Sequence, residues 1–221
     1  MVLAFNEERT LGLFVQEVIA VTRRLERECE ILVVDDGSTD RTGAIADQLA
    51  REIAGIRVIH HETNRGLGEG YRTGFANARG ECITFLGGDG QFPAVIIPQF
   101  FRLMAETDMV LGYVPHRKGP LGALAFSFFE RVLYQLLFGP LPRFQGVVMF
   151  KRRLLDKIPL KSTGRGWTVL MELIIRTSRG GDRILSVPTP MSPRMWGKSK
   201  VLNLSTVWSN LSQTLALRLT L

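Results

Sequence analysis

Cysteine and histidine are scarce in this 221-residue chain. The cysteines are Cys29 and Cys82, which form no C-x-x-C pair, and the histidines are His60, His61 and His116. Without a cluster of such ligands, we expect neither a zinc site nor a disulfide framework. The cysteine usage instead predicts a protein of a reducing compartment.

The sequence also lacks a secretory signal and an uninterrupted membrane-spanning run. No basic segment precedes the opening VLAFNEE, so we expect no signal peptide, and the short first strand predicts a native start further upstream. The apolar stretch 121–141 contains Glu130, Arg131 and Pro140, which favours an amphipathic helix on the core or at a bilayer interface. Residues 201–221 have a similar amphipathic pattern.

Acidic residues are outnumbered by basic ones, 21 to 28, which gives a net charge of +7. Such a chain favours anionic partners, including nucleotide diphosphates, nucleic acids and acidic lipid headgroups. Because no recognition helix or aromatic RNA-binding signature is present, we expect no nucleic-acid partner. The length and the 45% of hydrophobic residues are typical of one globular domain.

Strand-like and helix-like patterns alternate through the first half of the chain. The strand-like runs are 2–5, 31–34, 56–59, 82–86 and 109–113. This alternation predicts right-handed crossovers and a mostly parallel sheet flanked by helices. Ligands of such sheets bind outside the carboxyl ends of the strands, which is where the polar motifs fall.

The first polar motif is Asp35-Asp36-Gly37-Ser38, before a helix predicted to begin near Thr39. A carboxylate at a strand end can accept hydrogen bonds from a ribose or a base, and glycine lets the backbone approach closely. The same residues are also common in turns and N-caps, so a structural role is the alternative.

The second motif is Asp89-Gly90-Gln91, which follows the run 82–86. A carboxylate and an amide oxygen are suitable ligands for Mg²⁺ or Mn²⁺, with phosphate and water completing the shell. The metal would stabilise a departing diphosphate. An ordinary Asp-Gly turn is the alternative interpretation.

Two further segments are candidates for contacts with an anion. Arg65 and Gly66 stand at a helix start, where an anion can be held, while Gly70 and Gly74 favour close helix–strand packing. The basic segment 194–200 can close over a diphosphate and neutralise it, with a solvated loop as the alternative.

Six segments, in order, resemble the family 2 glycosyltransferases, especially the branch of dolichyl-phosphate mannose synthases and bacterial polyprenyl-phosphate glycosyltransferases. They are AFNEE (4–8), VVDDGSTDRT (33–42), NRGLGEGYRTGF (64–75), FLGGDGQFP (85–93), FQGVVMFKRRLL (144–155) and RMWGKSK (194–200). The resemblance implies an α/β, Rossmann-like GT-A fold with a mostly parallel central sheet and C-terminal amphipathic helices. It also implies inverting transfer of a sugar from a GDP- or UDP-sugar to a polyprenyl or dolichyl phosphate.

We therefore expect a single glycosyltransferase domain, with a nucleotide-sugar-binding half (1–113), an acceptor-side half (114–200) and a C-terminal interfacial helix (201–221). The residues expected to bind the nucleotide sugar are Phe5, Glu7, Asp35, Asp36, Gly37, Arg65, Asp89 and Ser199. Those expected to hold Mg²⁺ or Mn²⁺ are Asp89 and Gln91. Those expected to act in catalysis are Asp89, Arg194, Lys200 and Glu172. Glu172 is equally consistent with a plain helix-surface residue.

The sequence departs from the family pattern at its metal loop and acceptor side. Gly87 replaces the first carboxylate of the metal loop, and residues 112–114 lack the arginine that usually follows the fifth strand. A lipid phosphate acceptor is already an anion and needs little general-base help, whereas a hydroxyl acceptor needs a base, for which Glu172 is the candidate. The candidates for positioning a lipid phosphate are Arg117, Lys118 and Arg131.

Two alternatives to a lipid phosphate acceptor stay open. One is a glycosyltransferase that acts on a hydroxyl of a saccharide or lipid, and the other is a catalytically impaired relative that binds a nucleotide sugar. In the main interpretation the protein contacts a membrane peripherally. We expect it on the cytoplasmic face of that membrane, or in the cytoplasm.

Overall fold

The computed structural model describes residues 1–115, 121–193 and 204–221. The strands are β1 (Val2–Ala4), β2 (Ile31–Asp35), β3 (Ile56–His60), β4 (Cys82–Thr84), β5 (Leu86–Gly87), β6 (Met109–Tyr113), β7 (Val148–Lys151) and β8 (Ile184–Pro188). The helices are α1 (Leu11–Thr22), α2 (Thr42–Glu52), α3 (Leu67–Asn77), α4 (Ile96–Leu103), α5 (Leu121–Phe138), α6 (Arg153–Lys157), α7 (Thr168–Arg179) and α8 (Leu204–Thr220).

The strands form two four-stranded sheets. The consecutive strands β4 and β5 belong to different sheets, so the chain passes from one sheet to the other between them. The first sheet is parallel throughout and has the order β3-β2-β1-β5. The second has the order β4-β7-β6-β8, in which β7 runs antiparallel to both neighbours. The single strand predicted over 82–86 is divided at Phe85, whose buried ring packs edge to face on Tyr71. Most strand pairings are parallel, as the sequence predicted.

Helices cover both faces of the sheets. Side chains of α1, α2 and α4 belong to one apolar cluster, and those of α3, α5 and α7 to a second one. Val110 of β6 lies in the first cluster, whereas its neighbours Met109 and Leu111 lie in the second. This alternation follows from the two-residue period of a strand. Because β2 and β6 are buried on both faces, they appear in the sequence as largely apolar runs.

Local contacts decide where two of the helices lie. The prediction that a helix begins near Thr39 is wrong, because Asp40 accepts hydrogen bonds from the backbone N–H and hydroxyl of Thr42, where α2 begins. The predicted close packing of α3 on a strand is confirmed. A Cβ atom added at Gly74 would lie 1.8 Å from Cε of Met1, beside β1. Of the helices in the described part of the chain, none has the length and hydropathy that crossing a bilayer requires.

Candidate active site

Three neighbouring parallel strands place the sequence motifs at one edge of the first sheet. Phe5 follows β1, Asp36 follows β2, and Asp89 lies two residues beyond β5. The backbone N–H of Asp36 donates to the Ala4 carbonyl at 2.9 Å, which extends the pairing of β1 and β2 past the strand ends. The structure therefore brings the segments of Phe5, Asp36 and Asp89 together at the carboxyl edge, where ligands of parallel sheets bind.

The segment after β1 is joined to the loop after β2 by side-chain hydrogen bonds. The backbone N–H of Asn6 donates to Oγ of Ser38 at 2.9 Å, and Oδ1 of Asn6 accepts from the N–H of Thr39 at 2.8 Å. The N–H of Glu7 donates to Oγ1 of Thr42 at 2.8 Å. Phe5 and Glu7, both half-buried, are therefore held beside the Asp36 loop.

The Asp36 carboxylate is buried and organises the loop that precedes α3. Its Oδ1 accepts from Nδ1 of His61 at 2.7 Å and from the N–H of Arg65 at 2.9 Å. Its Oδ2 accepts from Nδ2 of Asn64 at 2.9 Å and from the N–H of Gly66 at 2.8 Å. The carboxylate thus has protein donors on both oxygens, while the Arg65 side chain is exposed beside it.

Asp35 is also buried, and its carboxylate contacts other residues of the chain. Its Oδ1 accepts from the N–H of Ser38 at 3.1 Å, and its Oδ2 lies 2.9 Å from Nδ1 of His60. Nε2 of the same histidine lies 3.0 Å from Asp47. The hydrogen bond with Asp35 and the second carboxylate raise the pKa of His60 against the effect of burial. Sequence reasoning missed both histidines, although their position directly at the end of β3 was a usable signal.

The loop after β5 carries the predicted metal ligands Asp89 and Gln91. Oδ1 of Asp89 accepts from the N–H of Gln91 at 3.2 Å, which sets the two side chains in one tight turn. The carbonyl of Gln91 accepts from the N–H of Ser192 at 2.8 Å. The chain that enters the basic segment therefore passes beside the loop after β5. The predicted Arg194, Ser199 and Lys200 lie outside the described residues.

Within the ranges that the structure describes, no three histidine, cysteine or acidic side chains converge as a metal site. The loop after β5 offers one carboxylate and one amide, both of them oxygen ligands. Such a pair suits a hard cation only if phosphate and water oxygens complete its shell.

Glu172 is fully buried on α7, at 0% exposure, so its interpretation as a plain helix-surface residue is wrong. Its carboxylate accepts from the backbone N–H groups of Lys161 and Ser162 at 2.9 and 2.7 Å. It also accepts from Nε of Arg176 at 2.9 Å. Burial raises the pKa of Glu172, but these hydrogen bonds outweigh it and hold the pKa below its usual range.

Of the predicted acceptor residues, Arg131 is described and lies exposed on α5. Its guanidinium stands 5.5 Å from the centre of the Phe128 ring, a cation–π arrangement on the surface. Arg117 and Lys118 lie outside the described residues.

A parallel sheet flanked by helices, with polar loops at the carboxyl edge, is typical of the GT-A glycosyltransferases. A family model described as glycosyl transferase family 2 matches residues 1–158. The chain therefore belongs to glycosyl transferase family 2 and is a glycosyltransferase, which confirms the resemblance found in the sequence motifs.

Similar proteins agree with this assignment. The chain is 30% identical over 190 residues to an undecaprenyl-phosphate mannosyltransferase of Micrococcus luteus, covering 79% of this chain and 76% of the relative. It is 30% identical over 210 residues to a polyprenol monophosphomannose synthase of Mycolicibacterium smegmatis, covering 89% and 78%. A Mycobacterium tuberculosis glucosyl-3-phosphoglycerate synthase, crystallised with Mn²⁺, UDP-glucose and phosphoglyceric acid, shares the fold with a TM-score of 0.73 at 21% identity, covering 98% of this chain and 78% of that one.

Proposed function

We propose that this protein transfers a sugar from a GDP- or UDP-sugar to a polyprenyl phosphate, with inversion at the anomeric carbon. The observation that carries the proposal is the convergence of Phe5, Asp36 and Asp89 at the carboxyl edge of the first sheet. The names of the Micrococcus and Mycolicibacterium relatives support a polyprenyl phosphate as the acceptor.

The donor site is assigned to the loops that the Asp36 carboxylate organises. Phe5 and Glu7 would line the base pocket, and the exposed Arg65 would face the diphosphate with its guanidinium. Asp36 and Asp35 would act mainly by holding these loops, because their oxygens already accept protein hydrogen bonds. Gly37 leaves room for the loop before α3 to approach. Arg194, Ser199 and Lys200 would cover the diphosphate from the basic segment.

The residues at 89 and 91 fit a divalent cation that is shared with the donor. One carboxylate and one amide oxygen leave most of the shell to phosphate and water, which is how Mg²⁺ and Mn²⁺ are commonly bound in phosphate-transfer sites. A bound cation would stabilise the negative charge of the leaving diphosphate. The Mn²⁺ of the Mycobacterium tuberculosis structure supports such a cation. The chain itself supplies Asp89 and Gln91 in one turn.

A phosphate acceptor agrees with the surroundings of Glu172. An oxygen of the lipid phosphate would attack the anomeric carbon while the bond from that carbon to the diphosphate breaks, and no proton has to be removed. A hydroxyl acceptor would need a base. Glu172 is enclosed and hydrogen-bonded to three protein donors, so it is poorly placed to take a substrate proton.

Exposed apolar side chains support a peripheral contact with a membrane. On α5, Phe128 is 60% and Leu136 79% exposed, and on α8, Leu219 is 89% exposed. Arg131 adds a positive charge beside the first of these. Apolar side chains with nearby cations favour an interface that contains anionic lipid. We place the protein on the cytoplasmic face of a membrane.

The first test is transfer of labelled sugar from a panel of GDP- and UDP-sugars to undecaprenyl phosphate in vesicles, with Mg²⁺ or Mn²⁺. We expect product with the phosphate and none with undecaprenol. Asp89→Ala should lower kcat/KM about a hundredfold or more, because it removes the carboxylate that would hold the cation, and the cation would stabilise the departing diphosphate. Glu106→Ala, which removes an exposed acid after α4, is the matched control and should keep wild-type activity.

Transfer to undecaprenol but not to its phosphate would refute the proposed acceptor. Nucleotide binding without transfer to either lipid, seen by calorimetry with GDP and UDP, would favour the catalytically impaired relative. This second candidate is supported by Gly87, which stands where the family pattern has a second carboxylate.

A further inference from the structure

A loop of the acceptor-side half packs directly on the donor-side loops. A Cβ atom at Gly68 would lie 1.9 Å from the carbonyl oxygen of Gly164, so the start of α3 and this loop meet backbone to backbone. The N–H of Gly68 donates to the Arg165 carbonyl at 2.9 Å. Segment 161–167 therefore covers the amino end of α3 and uses one of its free backbone donors.

Arg165 links this contact, through Asn64, to the Asp36 carboxylate. Its Nη2 donates to the backbone oxygen of Asn64 at 2.8 Å and to Oδ1 of the same residue at 3.0 Å. Nδ2 of Asn64 donates in turn to Asp36. The Asn64 amide is thus fixed between a guanidinium and a carboxylate, and the loop that presents Arg65 is fixed with it.

The other end of segment 161–167 is anchored by Glu172. Its buried carboxylate accepts from the N–H groups of Lys161 and Ser162, while Arg72 of α3 donates to the Ser162 carbonyl at 2.8 Å. A charged acceptor of backbone donors holds a loop more firmly than a neutral one. Segment 161–167 is therefore hydrogen-bonded to α7 at one end and to the proposed donor site at the other.

We propose that Glu172 is a positioning residue for nucleotide binding, acting through segment 161–167, Arg165 and Asn64. This inference rests on the proposed function only in taking the Asp36 loops as the nucleotide site. The carboxylate touches no substrate, because it is fully enclosed. Its loss releases the loop that carries Arg165, and the loop before α3 then loses the support that Arg165 adds to its hydrogen bonds with Asp36.

The test compares Glu172→Gln with Arg165→Met, because the arginine is exposed and its removal leaves the core intact. We expect each variant to raise the calorimetric Kd for the bound nucleotide and the donor KM about tenfold, while kcat changes less than about threefold. The double variant should bind the nucleotide about as well as the single variant with the lower affinity. The two effects do not add, because both substitutions remove the same series of contacts. The pH profile of kcat should keep its wild-type shape. Arg51→Met on α2 is the matched surface control.

A catalytic base would give the opposite result for Glu172→Gln. In that case kcat would fall about a hundredfold or more, the acidic limb of the pH profile would disappear, and nucleotide affinity would stay unchanged. Wild-type nucleotide affinity in Arg165→Met would also overturn the inference. A wild-type protein that binds neither GDP nor UDP would refute the proposed function itself, so the two failures are distinguishable.

Discussion

At the scale of single residues, Gly37 shows how closely the loop after β2 approaches the loop before α3. Its backbone has a φ of +69°, a region that favours glycine. A Cβ atom there would lie 2.3 Å from the carbonyl carbon of Thr63 and 2.6 Å from the nitrogen of Asn64. Both the turn and the contact therefore require glycine, which ties this motif residue to the loop that Asp36 holds.

Gly37→Ala should lower the free energy of unfolding by about 2 to 4 kcal/mol, since it combines left-handed strain with a backbone clash. Gly181→Ala is the control, because its φ is +74° and its added Cβ would meet nothing within 4 Å. That variant should cost only about 1 kcal/mol. Urea unfolding checks both values, and equal losses would show that the contact with residues 63 and 64 contributes nothing.

At the scale of secondary-structure elements, α8 has two different faces. Thr214 and Leu217 are buried, and Oγ1 of Thr214 lies 3.0 Å from the Tyr134 hydroxyl of α5. Leu215 and Leu219, one turn apart, are instead exposed. The helix is therefore held on the protein by one side and presents aliphatic side chains on another.

Leu215→Gln/Leu219→Gln should weaken association with vesicles that contain anionic lipid by about tenfold or more, because each leucine loses the free energy of apolar burial. Vesicle flotation measures this effect. The control is Leu13→Gln/Val95→Gln, which replaces two exposed aliphatic side chains of the α1–α4 layer. Equal losses in the two double variants would mean that α8 has no special part in membrane binding.

At the scale of the whole molecule, Asp108 ties together strands of the second sheet. Its Oδ1 accepts from Lys151 at 3.1 Å and from Arg153 at 2.5 Å, and its Oδ2 accepts from the N–H of Arg183 at 3.1 Å. Burial raises the pKa of this carboxyl, but the hydrogen bonds outweigh it and lower the pKa to about 2. The carboxylate joins the start of β6 to the end of β7 and to the residue before β8.

Asp108→Asn should lower the free energy of unfolding at pH 7 by about 1 to 2 kcal/mol. Because the folded-state pKa lies below the unfolded one, the wild-type advantage is present above about pH 4 and is lost as the pH falls toward 2. Urea unfolding at pH 7, 5 and 3 measures the difference in free energy of unfolding between the wild type and Asp108→Asn. Asp182→Asn, which removes a partner of the exposed Lys157, should cost less than about 0.5 kcal/mol. If the stability difference between the wild type and Asp108→Asn did not change with pH, the lowered pKa of Asp108 would be contradicted.

Much of the fold was predictable because its signals are local. The run 31–34 is apolar at every position, as a strand covered on both faces must be, and β6 matches its predicted range of 109–113. The division at Phe85 was not predictable, because it depends on which sheet each half of the strand joins. The proposed boundary between halves at residue 113 stays a prediction.

The sequence by itself indicated the family through the resemblance of six motifs in order. It also placed those motifs after the strands, because apolar periodicity and turn chemistry involve residues a few positions apart. Only the tertiary structure decided what the carboxylates do. Arg165 and Asn64 are 101 residues apart in the chain, and Glu172 reaches the N–H groups of a separate loop. Such partners are set by how helices and loops pack, so no local pattern of residues could name them.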